Sequence, residues 1–280
     1  MYEAHFGFRE LPFTLTPNTH FYLNAATHQR AFQTVKVALE SLEGFIKVVG
    51  EVGTGKTLLC RALLGALQSP FYTAYIPNPC LEPQDLYCVV ARELDMDVAP
   101  ESRTHVVLDQ IQTRLIELAA DGRQVVLLID EAQALPEATI EAVRLLTNLE
   151  TESRKLLQVV LFGQPELDVL LDQPHLRQLK QRITFQERLQ PLSRDEVAQY
   201  VRHRISAAGY NGPDLFDSKA LRAIAHSSGG IPRLVNILSH KALLAAYGEG
   251  ARQVRRAHVK RAVNDTESAG RLPWYAGVFG

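Results

Sequence analysis

Two stretches of the sequence hold residues whose types and spacing can do chemistry on a polyanion. The first is GEVGTGKT, Gly50–Thr57, in which Gly50 is followed after four residues by Gly55, Lys56 and Thr57. That is the spacing of a phosphate-binding loop. Backbone N–H groups along Gly50, Glu51, Val52, Gly53, Thr54, Gly55, Lys56, Thr57 and Leu58 would converge on phosphate oxygens, aided by the dipole of the helix that the loop opens. Gly53 and Gly55 permit dihedrals and a close approach that a Cβ would block. In such a loop Lys56 reaches the β and γ phosphates of ATP, and the Thr57 hydroxyl binds Mg2+.

The second is VVLLIDEAQ, Val125 to Gln133, where an aliphatic run meets Asp130 and Glu131. A carboxylate at the end of a buried strand is costly unless a cation or dense hydrogen bonding compensates it. Beside a phosphate loop the pair has a use. Asp130 is expected to hold the Mg2+, and Glu131 to orient and polarise an attacking water. The plain alternative is a solvated strand end opening into a loop.

These groups need elements to hold them. FIKVVG (45–50), FYTAYIP (71–77), VVLLID (125–130), LLQVVLFG (156–163) and ITFQERL (183–189) are short and rich in β-branched or aromatic residues. Stretches with apolar residues three and four apart lie between them. Near-continuous apolar strands separated by helices imply a parallel sheet covered on both faces. ITFQERL alternates instead, as an edge strand does. After Pro191 only helical patterns remain. Ser193 and Glu196 make a capping box, a second helix runs from about Ser218 to Ala225, a third from Pro232 to before Gly248, and a fourth over Val254–Val263. The expected organisation is an α/β domain at 1–191, a small helical domain at 192–270 and a tail at 271–280.

Composition narrows the class. Lys+Arg is 30 against Asp+Glu 31, so no global charge draws the chain to nucleic acid or anionic lipid. Cys60, Cys80 and Cys88 have no metal-like spacing and suit buried positions in a reducing compartment. The first residues lack a signal-peptide pattern and no apolar run approaches about 20 residues, so the chain reads as cytoplasmic.

Beyond the two motifs, the ordered segments HFGFRELPFTLTPNTHFYLN, GFIKVVGEVGTGKTLLCRALL, LLIDEAQALP, LQVVLFGQPEL, LKQRITFQERLQPLS and SGGIPRLVNILSHKALLAA resemble the ExeA/GspA-like AAA+ ATPases of bacterial secretion and pilus assembly, nearly end to end. The resemblance implies a three-layer P-loop α/β domain with a five-stranded, mostly parallel sheet and a small all-α lid. It also implies ATP hydrolysis with Mg2+, a homo-oligomer, and pilus or secretion assembly proteins as partners, through which the chain could lie at the inner membrane. Gln164 takes the first sensor position; its amide can bond both water and phosphate. Arg233, on the first turn of a lid helix, takes the second, and a cation there suits an anionic ligand because the helix dipole alone disfavours it. Arg182 takes the place of an arginine finger that enters a neighbouring subunit, with Arg177 and Arg188 as rivals. The segment LPFTLTPNTHFYL is expected to wrap adenine, with Phe21 named and Phe13 and Tyr22 equally suited to core. ExeA-type relatives continue into a membrane span and a peptidoglycan-binding module, which are not expected here. The basic last helix, with Arg252, Arg255, Arg256, Lys260 and Arg261, reads as a solvated face or as a contact for nucleic acid. A DNA-transaction ATPase and a nucleotide-gated binding module with little turnover are the alternatives.

Overall fold

The five apolar runs form five strands: β1 (Phe45–Gly50), β2 (Phe71–Ile76), β3 (Gln124–Ile129), β4 (Leu157–Gly163) and β5 (Ile183–Leu189). They are seen in a computed structural model that describes residues 2–270 apart from 17, 22, 24, 100–101 and 150–154. Tyr22 and the expected tail at 271–280 lie outside the described residues. Twelve α-helices occur among those residues: α1 (Glu3–Phe6), α2 (Ala26–Glu40), α3 (Lys56–Ala66), α4 (Pro83–Glu93), α5 (Thr104–Ala120), α6 (Glu137–Leu146), α7 (Glu166–Leu171), α8 (Arg177–Arg182), α9 (Arg194–Ala207), α10 (Ser218–Ser228), α11 (Pro232–Gly248) and α12 (Arg256–Asn264). None is long and apolar enough to cross a membrane.

The described residues divide into two compact units. The first, residues 26–52 and 59–189, holds the sheet, with strand order β2-β3-β4-β1-β5. Every pairing is parallel. Alternate residues of each strand point to opposite faces, and both faces are covered. Ile46, Val48, Val126, Leu128, Val160 and Phe162 join Val35, Leu39, Leu59 and Leu63 of α2 and α3 in one core. Phe45, Val49, Leu127, Ile129, Val159 and Leu161 join residues of α4 to α8, such as Leu86, Ile111, Ile140 and Leu167, in the other. Each such aliphatic side chain contributes roughly 1.5–3 kcal/mol when fully buried. β5, paired only with β1, alternates in burial as expected of an edge.

Lys47 interrupts the apolar run of β1 and is explained by its partner. Its ammonium lies 2.5 Å from Asp168 Oδ1 of α7, while Arg188 of β5 donates to the other oxygen of the same carboxylate at 2.5 Å. The carboxylate thereby ties α7 to the two strands at this end of the sheet.

The second unit comprises residues 2–25, 53–58 and 190–270. The capping box is present: Ser193 N donates to Glu196 Oε2 at 2.8 Å, and Glu196 N to Ser193 Oγ at 3.3 Å. Asp217 caps α10 through Ala220 N at 2.6 Å. α10 runs three residues past the expected end, to Ser228, and stops where Gly229 turns left-handed at φ +57°. α12 starts at Arg256 rather than Val254, because Val254 pairs with Phe216 in a short bridge. At Gly230, φ is +76° and a Cβ would sit 2.0 Å from Leu192 O, so the crossing of these two backbones requires glycine.

The expectation of one domain over 1–191 differs at its start, because residues 2–25 pack with the helices. Tyr2, Phe6, Phe8, Phe13 and Phe21 are all buried in the helical core. Arg204, itself buried, donates to Pro12 O at 2.6 Å, to Thr14 O at 3.4 Å and to Tyr200 Oη at 2.9 Å. Its guanidinium lies 4.6 Å from the Phe21 ring centroid. A buried cation needs such a ring of acceptors, and the amino-terminal backbone supplies them.

Candidate nucleotide site

Strands β1, β3 and β4 end at one edge of the sheet, as the pairings Val49 with Gly163 and Ile129 with Leu161 require. With neighbouring parallel strands about 4.8 Å apart, three strand ends fall within about 10 Å. Gly50, Asp130 and Gln164 therefore leave the sheet side by side. Because β1 lies between β4 and β5 while the chain proceeds to the far edge at β2, this is a switch point of the topology, where open parallel sheets bind ligands.

After Gly50 the chain enters the glycine-rich loop. Gly53 and Gly55 have φ of +81° and +100°, conformations that L side chains rarely adopt. Thr54 is fully buried, and Lys56, the first residue of α3, is 5% exposed. Glu51 and Val52 are exposed, while Thr57 and Leu58 are half-buried. A buried ammonium at the positive end of a helix is an arrangement that a bound anion stabilises. The donor set fits a polyphosphate. The Thr57 hydroxyl and a carboxylate are hard oxygen donors that suit Mg2+.

Arg233 meets this loop. Its backbone N–H, in the first turn of α11, donates to Gly53 O at 3.2 Å. A Cβ on Gly53 would lie 2.6 Å from Arg233 Cβ and 3.2 Å from Ile231 Cγ2. The second-sensor candidate and the phosphate loop are thus in van der Waals contact, with the Arg233 side chain exposed.

Asp130 is 2% exposed and its Oδ1 accepts from Glu131 N at 2.9 Å. Its charge reaches α3. Burial first, then the Asp130 carboxylate, push the Cys60 thiol up against the pull of Arg61. The Tyr75 hydroxyl is pushed up to about 12 by burial, then Cys60 and Asp130, again opposed by Arg61. The acid at the end of β3 is thus close enough to Cys60 of α3 to be felt by its thiol.

Glu131 holds a left-handed backbone, φ 52° and ψ 38°, which is uncommon for a residue with a side chain and clusters at functional sites. Its Oε2 accepts from Gln164 Nε2 at 3.0 Å and from Gln133 Nε2 at 2.6 Å. Gln133 Oε1 in turn accepts from Gln164 N at 2.9 Å. The first-sensor candidate and the acid are directly joined. Gln133 closes the network, and nothing in the sequence marks it, since a glutamine four residues after a strand end looks like any solvated loop residue.

Other candidates stand apart. Phe21, expected against adenine, is 1% exposed with Arg204 over its face and His20 at its edge, and belongs to the helical core. Arg182 ends α8 and donates to Thr147 Oγ1 at 3.5 Å and to Asn148 Oδ1. The next residue, Ile183, pairs with Phe45 at the beginning of β1. At about 3.3 Å per residue, Arg182 is roughly 20 Å from the nucleotide edge of its own sheet. Arg188 lies near that edge but is ion-paired with Asp168. Arg177 opens α8 exposed, with no hydrogen bond or ion pair to the described residues. On α12, His258, Val259, Ala262 and Val263 face the core while Arg261 pairs with Glu249, and just before the helix Arg252 donates to His5 O.

Residues 39–171 match the AAA domain family. General secretion pathway protein A of Aeromonas hydrophila is 42% identical over 254 residues, 91% of this chain but 46% of that protein, so the chain spans about half of its curated relative. Among solved structures, Cdc6p from Pyrobaculum aerophilum shares 17% identity and a TM-score of 0.67, covering 91% of this chain and 70% of that one. The ORC2 protein of Aeropyrum pernix gives 14% and 0.66 over 92% and 73%. The RuvB branch migration motor of Thermotoga maritima gives 17% and 0.57 over 85% and 68%. These likenesses carry the fold. The sheet order, the two motifs at its edge and these similarities agree: residues 39–171 match the AAA domain, and the chain is similar to General secretion pathway protein A over about half of that protein's length.

Proposed function

We propose that the chain binds ATP with Mg2+ and hydrolyses it, and that turnover drives or regulates assembly of a bacterial pilus or secretion machine. The observation that carries this is the joined cluster of Glu131, Gln133 and Gln164 at the sheet edge where β1 passes into the glycine-rich loop. Lys56 would bind the β and γ phosphates, and Thr57 and Asp130 would hold the metal, which when bound offsets phosphate charge. Glu131 would polarise the attacking water, with Gln164 and Arg233 reading the γ-phosphate. Phosphoryl transfer asks for positioning and charge stabilisation more than for covalent chemistry, and this set supplies both.

Lys56→Ala should abolish nucleotide binding, whereas Glu131→Gln should keep binding and lose hydrolysis. Wild-type phosphate release from Glu131→Gln would reject the assignment. Arg182 would act in trans, contributing about 10³ to 10⁵ in rate, or roughly 4–7 kcal/mol of barrier. Arg177 and Arg188 remain its rivals. The wording of the sequence most resembles MshM, of mannose-sensitive haemagglutinin type IV pilus biogenesis, and pull-down of pilus assembly proteins tests that role.

A DNA-transaction ATPase is the second reading, favoured by the outward cations of α12. Salt-sensitive duplex binding strengthened by ATP would support it.

A further inference from the structure

We propose that Gln133 is a positioning residue that fixes the Glu131 carboxylate to the end of β4. It rests on the reading of Glu131 as the group that polarises water. The side-chain amide is held at both ends: Oε1 accepts from Gln164 N at 2.9 Å, and Nε2 donates to Glu131 Oε2 at 2.6 Å. Reversing the amide would set N–H against N–H and oxygen against carboxylate, so its orientation is determined by its neighbours. Gln133 belongs to the short 3-10 turn Ala132–Ala134 that follows β3, and Gln164 follows β4. The amide therefore links the ends of two strands and seats the acid between them.

The arrangement matters because Glu131 departs from the strand in a left-handed conformation. A carboxylate on such a turn needs an external support to keep one direction. Gln164 Nε2, at 3.0 Å, is the weaker candidate for that support, since the proposed function asks Gln164 to contact the nucleotide as well. Gln133 has both its polar atoms committed within the protein and stays when Gln164 moves to its ligand. Hydrogen bonds to an ionised carboxylate are short and strong, which suits a bond of 2.6 Å.

Two substitutions separate the two bonds. Gln133→Glu keeps an acceptor for Gln164 N but sets a like charge against Glu131. Gln133→Met removes both bonds at similar volume. Both variants should bind ATP within about threefold of wild type and hydrolyse it at least about tenfold more slowly, about 1.4 kcal/mol of barrier. The loss in Gln133→Met should fall on kcat, with KM for ATP within about threefold of wild type, because the bond removed orients the acid and does not hold the nucleotide. A merely structural role would lower thermal stability and raise KM along with the loss of turnover. Unchanged turnover in Gln133→Met, with Glu131→Gln inactive, would overturn the role of Gln133 alone. Wild-type turnover by Glu131→Gln would remove the role of Glu131, and the positioning role with it.

Discussion

Gly53 has no room for a side chain: a Cβ there would overlap Arg233 Cβ at 2.6 Å, and its φ of +81° is strained for any other residue. Gly53→Ala should therefore displace the first turn of α11 and distort the loop together. We expect nucleotide affinity at least about tenfold lower, with a lower melting temperature, measured by calorimetric titration and thermal unfolding. Arg233→Ala is the contrast. Its side chain is exposed, so stability should stay within about 0.5 kcal/mol while discrimination of ATP from ADP declines. At this scale the placement of two motifs was legible, Gly50 to Thr57 between β1 and α3 and Asp130 and Glu131 just after β3, because their spacing is tied to strand and helix ends. Gln133 was not, because its role depends on a register between strands more than thirty positions apart, and neither was the left-handed turn at Glu131.

The helical elements are fixed by close contacts that single substitutions can test. Gly230→Ala would drive a methyl group to 2.0 Å from Leu192 O, and should cost the helical unit about 3 kcal/mol, read by urea denaturation. Arg204→Met leaves Pro12 O and Thr14 O without their buried donor, and should cost about 2–4 kcal/mol and loosen residues 2–25 in hydrogen exchange. Acid should weaken the same region through His240, whose ring contacts Tyr2 Oη at 2.8 Å. Burial depresses its pKa below the ordinary 6.5, opposed by Glu3. A depressed histidine binds fewer protons in the folded state. Its contribution is thus full above about 6.5 and is lost as pH falls through the lower folded value. Thermal midpoints should be flat above neutrality and fall on acidification, and His240→Leu should flatten that limb. Strand positions were legible because strands buried on both faces read as unbroken apolar runs. The attachment of residues 2–25 was not, since scattered rings such as Phe8 and Phe13 carry no periodicity, and an arginine in the middle of α9 reads as a solvated residue.

For the whole molecule, Arg182 stands at the opposite end of its own sheet from Asp130 and Gln164, and the proposal that it acts in a neighbouring copy has its own tests. Specific ATPase activity should rise with protein concentration and fall on dilution. Arg182→Ala should lose turnover while keeping nucleotide affinity. Mixing it with Glu131→Gln should restore activity, since one kind of interface then holds an intact acid and an intact arginine. Equal inactivity of the mixture and its components would assign the arginine elsewhere.

The polypeptide passes from one unit to the other at residues 25–26, 52–53, 58–59 and 189–190. Neither half is a continuous cassette. Recombination that grafts residues 190–270 onto another chain would leave behind five aromatic rings of the helical core, Tyr2, Phe6, Phe8, Phe13 and Phe21. Such a graft would arrive with an open hydrophobic surface, so the two halves are expected to be inherited together.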